Sequence, residues 1–208
     1  RASRLMTALP PPQDWLDYWR GDAKNDAEAA DEKMKLWFKK SETTDADIAE
    51  HFLDLMAPLA NGLAQEWADQ GLQQRLAAII ALDQFSRNLF RDTKNAFAND
   101  ALALSLTKDA LSKGEDAGLS EVERIFLYLP LEHSEDMADQ DLSVHKYTEL
   151  AEDARPAFKA LCENTLDYAI RHRDVIDQYG RFPHRNAILK RTNTDAETDY
   201  LSQPGAGF

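Results

Sequence analysis

Residues 72–90 constrain the fold more than any other stretch of this chain. Projected at ~100° per residue, Leu76, Ile79, Ile80 and Phe90 share one side of a helix, while Leu82, Phe85 and Leu89 cover much of the other. A helix apolar on more than one flank has to be central, with neighbours packed on several sides. Asp83 and Arg87 fall in the middle of the first apolar side. They are four residues apart with the acid first, the favourable order for an ion pair. Two charges on a core face must be paired and hydrogen-bonded. They form either a structural pair or the floor of a polar pocket. Gln84, Asn88 and Arg91 line the remaining polar strip.

The rest of the chain reads as helix around that element. Ile48, Phe52, Leu55, Met56 and Leu59 recur every three or four residues, and Thr44-Asp45-Ala46-Asp47 has the spacing of a helix start. Pro58 is expected to kink this run before it continues to Trp67. Residues 21–31 read as an acidic loop. Asn99 and Asp100 are expected to cap a helix through Leu111. Ser120-Glu121-Val122-Glu123 and Thr194-Asp195-Ala196-Glu197 have the form of capping boxes. Pro130 is expected to interrupt the helix that Ser120 opens, with helix resuming over Leu131–Met137 and again over 141–153. Pro156 suits the first turn of a long helix that Gly180 closes after Tyr179, and 180–187 is irregular. No alternating apolar–polar run long enough for a strand occurs, and no period of 30–45 residues is evident. These patterns predict an all-α single domain over residues 14–202, between tails at 1–13 and 203–208.

Composition narrows the function classes. With 24 Lys and Arg against 37 Asp and Glu, the net charge is −13, which disfavours nucleic acid and anionic membranes as partners. No apolar run approaches the ~20 residues of a membrane helix, and residues 1–12 lack the apolar core of a secretory signal. The single cysteine, Cys162, permits no intrachain disulfide and fits a buried small residue on a helix. A cytoplasmic protein without metal or cofactor is the expectation. No Gly-rich phosphate loop, nucleophile elbow, His-Glu-x-x-His or dinucleotide fingerprint is present.

Two further polar stretches join Asp83 and Arg87 as candidate site elements. In Pro130-Leu131-Glu132-His133-Ser134-Glu135-Asp136, a helix resuming after the proline would put His133 with Asp136, and Glu132 with Glu135 or Asp136, on shared faces. A histidine among carboxylates suits a metal half-site, an acid–base pair or a solvated acidic helix start. On the long C-terminal helix, His172 falls on the face of Leu161, Thr165, Ala169 and Ile176, with Arg173 at its edge. Beyond Gly180, Arg181-Phe182-Pro183-His184-Arg185-Asn186 is basic. Residues 171–191 carry six Lys or Arg against Asp174 and Asp177, a pattern suited to an anion or to ion pairs with the chain's many carboxylates.

The segments 82–91, 96–100, 126–136, 139–140, 172–173 and 179–186 resemble a largely bacterial family registered as domain of unknown function 924. The resemblance spans most of residues 14–201 and departs from the family at Ser86 for Pro, Tyr179 for Phe, and Lys190 for Gly. The last change bears on a tight turn. The resemblance implies antiparallel helix pairs in a tetratricopeptide-like right-handed stack and carries no established activity. Three functions stay open. One is a binding module for a small acidic ligand or peptide, walled by Asp83, Arg87, Arg91, Glu132, His133, Asp136, His172, Arg173, His184, Arg185 and Asn186. Another is a hydrolase-like enzyme pairing His133 with Glu132 or Asp136 and clamping substrate with Arg87 or Arg185. The third is a buried polar network that only fixes helix register.

Overall fold

A computed structural model describes residues 8–208; the first seven residues of the expected N-terminal tail lie outside them. Among the described residues the chain is all-α, with no strand. Helices α1 (Pro12–Trp19), α2 (Ala27–Phe38) and α3 (Glu42–Phe52) come first. The acidic stretch read as a loop is instead largely helical, because the Asp26 side chain caps α2 by accepting from the amides of Glu28 and Ala29. Helix α3 likewise starts earlier than expected. Ser41 accepts from the Thr44 amide, which leaves Asp45 free to act elsewhere.

A short α4 (Met56–Pro58) leads to α5 (Ala64–Gln70). The chain bends at Asn61 and Gly62 rather than at Pro58, with φ at Gly62 of +119°, which glycine alone adopts without strain. Then comes the predicted central element: α6 (Leu72–Ile80), a widened π-helical turn over Ala81–Phe85, and α7 (Ser86–Leu89). All residues from Arg75 to Ser86 are buried. The indole of Trp15 in α1 stacks on Phe52 of α3 at 4.2 Å and on Phe85 at 4.7 Å. Trp19 and Trp37 pack edge-on against Phe126, and the Trp37 indole N–H donates to the Trp19 carbonyl. These aromatics tie α1 and α3 to the central helix at Phe85, and α2 to α1.

Helix α8 (Asp100–Ser112) follows Asn99, whose amide donates to the buried Ser86 hydroxyl instead of capping the helix. Helix α9 (Glu121–Glu132) opens with the predicted capping box of Ser120 and Glu123, and every one of its residues is buried. It runs through Pro130 without a break. A proline in the last turn withholds only its own N–H from the ladder, and the helix ends two residues later. Residues 133–136 therefore form a turn, not resumed helix, before α10 (Met137–Asp153). The Gln140 side chain braces that turn, donating to the carbonyls of Glu132 and Ser134 at 2.7 Å each. Helix α10 packs along α11 (Lys159–Tyr179), which Gly180 closes in the left-handed conformation (φ +74°). Cys162 is buried on α11. The last helix, α12 (Asp195–Leu201), has the predicted capping box of Thr194 and Glu197. Residues 203–208 then return to the site described below.

The turn questioned at Lys190 is present, and Lys190 itself takes the left-handed backbone (φ +54°). For a residue with a Cβ that costs about 1–2 kcal/mol, partly offset by the greater unfolded-chain entropy of glycine. Lys190→Gly should therefore raise stability by up to ~1 kcal/mol, read as a higher Tm in thermal unfolding with the circular dichroism spectrum unchanged.

Candidate functional site

The centre of the site is a hydrogen bond between two elements far apart in sequence. Asp83, on the π-helical turn, meets Nδ1 of His133 through Oδ1 at 2.7 Å, and the Gln84 amide donates to its Oδ2 at 2.6 Å. The anticipated Asp83–Arg87 contact exists but is long, 3.4 Å. Arg87 also donates to the Asp83 carbonyl and makes its close ion pair with Asp100 of α8, at 2.7 and 3.0 Å. Behind this group His172 lies 4.0 Å from Glu132, and its ring is 6.3 Å from that of His133.

Arg185 closes the other side. It sits in the short 3₁₀ turn Pro183–Arg185, only 6% exposed, with its guanidinium over the rings of Phe97 at 4.5 Å and Phe182 at 4.7 Å. Its Nη2 donates to the His133 carbonyl at 3.0 Å, its Nε is buried without a partner, and its ion-pair contact with Glu135 is long, 4.0 Å. Glu135 is engaged elsewhere. It binds Arg191 through both oxygens at 2.8 and 3.1 Å and accepts the Phe182 amide at 2.6 Å. His133 and Arg185 line a cleft of about 430 Å³ together with Asp100, Lys94 and the apolar side chains of Phe97 and Leu189. A second cleft of similar size, beside Arg155 and Glu121, has those two side chains already joined bidentately.

Sequence reasoning placed Asp83, Arg87, Glu132, His133, His172 and Arg185 in one region, and the structure brings these six together. His184 lies against Phe182 and Phe208, and Phe208 stacks on His172 at 3.6 Å. Four candidates lie elsewhere. Arg91 binds Asp45 of α3 at 2.8 and 2.9 Å, alongside Asn88. Asp136 is the exposed N-cap of α10, because the turn at 133–136 removes the helical face it was to share with His133. Arg173 pairs with Asp141 on the outside of α10, and Asn186 joins Asn193 and Glu197 under the final helix. Asp100, Phe97 and Phe182 belong to the site and were not singled out, since nothing in their local spacing marks a cation partner.

Burial and charge set the protonation states. Burial would raise the Asp83 carboxyl, but the His133 ring, Arg87 and the Gln84 hydrogen bond outweigh it and hold Asp83 well below the usual carboxylate range. Burial and Arg87 lower His133. Burial, helped by His133, lowers His172 to about 3, and burial with Arg185 lowers His184 to about 4. Burial and then Arg87 depress Arg185 to about 10. Glu132 moves the other way, raised to about 8 by burial and by the Asp83 charge. Near neutrality the cluster thus holds an ionised Asp83, a protonated Glu132 and uncharged imidazoles. Among the described residues, Asp47, Glu50 and His51 have donor atoms close enough to share an ion, but they lie on one face of α3 and outside the cleft lining.

Glu132 gives this arrangement a pH signature. Its folded pKa, about 8, exceeds its ordinary 4.5, so the native state holds a proton that the unfolded chain releases between those values. Its stabilising contribution is full below pH 4.5 and is lost as pH rises through 8. Glu132→Gln should flatten that decline. In urea titrations from pH 5 to 9 the variant should gain on the wild type as pH rises. Parallel profiles would mean that Glu132 is not the group responsible.

The comparisons agree with this fold. A solved structure of a protein of unknown function from Agrobacterium tumefaciens is similar, with 34% identity over 92% of this chain and 96% of that one, and a TM-score of 0.75. No curated protein matches the chain significantly. Residues 15–205 match the model of a family described as bacterial protein of unknown function, domain of unknown function 924. With the match covering nearly the whole helical domain, the chain belongs to that family.

Proposed function

We propose that the protein is a binding module and that the cleft beside His133 and Arg185 takes a small acidic ligand or peptide carboxylate. The observation that carries this reading is Arg185. Its charge is buried between two aromatic rings, its Nε has no partner, and the nearby Glu135 is held by Arg191. A desolvated guanidinium without a close carboxylate is costly, and an incoming oxyanion would relieve that cost with charge-assisted hydrogen bonds. The local balance supports the same polarity. Lys94, Arg87, Arg185 and Arg191 stand beside the carboxyl groups of Asp83, Asp100 and Glu135, in a chain of net charge −13. The apolar part of the wall, including Phe97 and Leu189, favours a ligand with a short hydrocarbon body.

The same reading treats the chain as a cytoplasmic helical module with antiparallel pairs stacked in a tetratricopeptide-like manner. The short Gly71 link between α5 and α6, and the close packing of α10 on α11, support it. The Asp83–His133 pair favours one alternative, a hydrolase-like enzyme. In it His133, oriented by Asp83, would take a proton from water attacking an acyl carbon and return it to the leaving oxygen.

Arg185→Gln should weaken binding of valerate or butyl sulfate by about 10–100-fold, the worth of one or two charge-assisted hydrogen bonds. Arg173→Gln, outside the cleft, should leave it unchanged. Isothermal titration calorimetry on the three proteins checks this, and equal affinities for wild type and the Arg185 variant would end the binding-site reading. The enzymatic alternative requires hydrolysis of a carboxylate-bearing nitrophenyl ester that Arg185→Gln slows, and it fails if wild type and Arg185→Gln run at the same rate.

A further inference from the structure

We propose that the cleft holds its oxyanion between Arg185 and Nε2 of His133, and that the ligand's arrival loads a proton onto His133. This rests on the reading of the cleft as an anion site and adds the second contact and the proton. The geometry starts from the 2.7 Å contact between Asp83 and Nδ1 of His133. An ionised carboxylate can only accept there, so Nδ1 carries the hydrogen and Nε2 is the basic nitrogen. His133 lines the cleft with 14% of its side chain exposed, and Nε2 is not among the buried unpartnered atoms. The Arg185 guanidinium is anchored to the backbone carbonyl of the same histidine at 3.0 Å. Both residues line the same cleft, which is the arrangement that one oxyanion held between them requires.

The charges around His133 explain why the proton waits for the ligand. The central helix presents Asp83 and Arg87, α8 presents Asp100, and α9 contributes Glu132 from His133's own side. Helix α11 presents His172, and the 183–185 turn presents His184 and Arg185. Asp83 and Asp100 both favour the charged ring, but they share the one Arg87 guanidinium, and burial and Arg87 together outweigh them. Burial and Arg87 hold the free imidazole neutral. An oxyanion adds the missing negative charge on the Nε2 side, and the imidazolium donates Nε2–H to it. The proton comes from solvent, and no covalent bond of the ligand is made or broken.

The sign of the pH dependence follows. Between the lower pKa of free His133 and the higher pKa in the complex, binding takes up one proton and tightens about tenfold for each unit that pH falls. Valerate and butyl sulfate are suitable probes because their head groups do not titrate between pH 6 and 8. They share a short apolar body and separate a planar carboxylate from a tetrahedral oxyanion. Calorimetry in two buffers of different ionisation enthalpy gives the protons taken up, and the His133 ring resonance followed by NMR gives its pKa with and without probe. The expected result is uptake approaching one proton, a raised His133 pKa in the wild-type complex, and loss of both uptake and pH dependence in His133→Gln, with His51→Gln, on α3 outside the cleft, behaving as wild type. If neither probe binds the wild-type protein, the anion-site reading falls, and this inference with it. Binding that depends on Arg185 but takes up no proton, or uptake that survives in His133→Gln, overturns the inference and leaves that reading standing. Because the NMR measurement is made on wild type, a variant that fails to fold does not shelter the proposal.

Discussion

The hydrogen bond from His133 to Asp83 joins the middle of the central helix to the end of α9, and the site is assembled around it. Asp83 is 1% exposed, and a lone carboxylate at that depth would take up a proton or unfold its surroundings. It stays ionised because three donors converge on it: the His133 ring, the Gln84 amide and, more distantly, the Arg87 guanidinium. Two of these donor residues make a further contact. Arg87 reaches Asp100 and so fixes the start of α8, while the His133 carbonyl holds Arg185 and so fixes the turn after α11. Removing the carboxylate leaves Arg87 and His133 without it at a buried point, which is why such networks resist single changes more than their net stabilisation implies.

How much of this was legible depends on the range of the interaction. That Asp83 and Arg87 face inward follows from helical spacing, and both do. Which groups they bind does not, because Asp100 and His133 come from other helices and spacing within one helix says nothing about them. The π-helical turn over Ala81–Phe85 leaves no composition signal, yet Asp83 sits on it. Pro130 misled for a definable reason. Its cost falls on a hydrogen bond near the end of α9, where few ladder bonds remain to be lost, so the helix runs to Glu132 and the turn comes after. That shift of three residues turned Asp136 from a partner of His133 into the cap of α10. The basic stretch at 181–191 was legible as charge, but its division was not: Arg181 goes to Glu197, Arg191 to Glu135, and Arg185 alone goes between aromatic rings.

That division separates a network that fixes the fold from the cleft surface that the proposed reading assigns to a ligand. Gln84, Asp83, Glu132 and His172 are buried, and their polar contacts run among themselves, to the backbone, and outward only to His133 and Arg87. The view of such groups as register-fixing polar residues fits this inner layer. His133 and Arg185 stand between the layers. Each makes one contact inward and also borders the cleft, so the inner network orients them without neutralising them. Pre-organisation of this kind lowers the cost of binding, since the side chains a ligand meets are already held in one geometry.

For the proposed anionic ligand, an acidic chain with Arg185 in its cleft would repel at long range and attract at short range. At physiological salt the Debye length is ~8 Å, so the −13 of the whole surface fades beyond the cleft mouth while the partly buried charges of Arg185 and Arg87 stay unscreened. On the proposed reading, affinity for a small anion would be set by contacts inside the cleft rather than by steering, and it should depend only weakly on salt. The same reasoning bears on the partner's size. A long polyanion would have to lie along the acidic surface outside the cleft, whereas a small oxyanion with a short apolar body can enter and leave that surface behind.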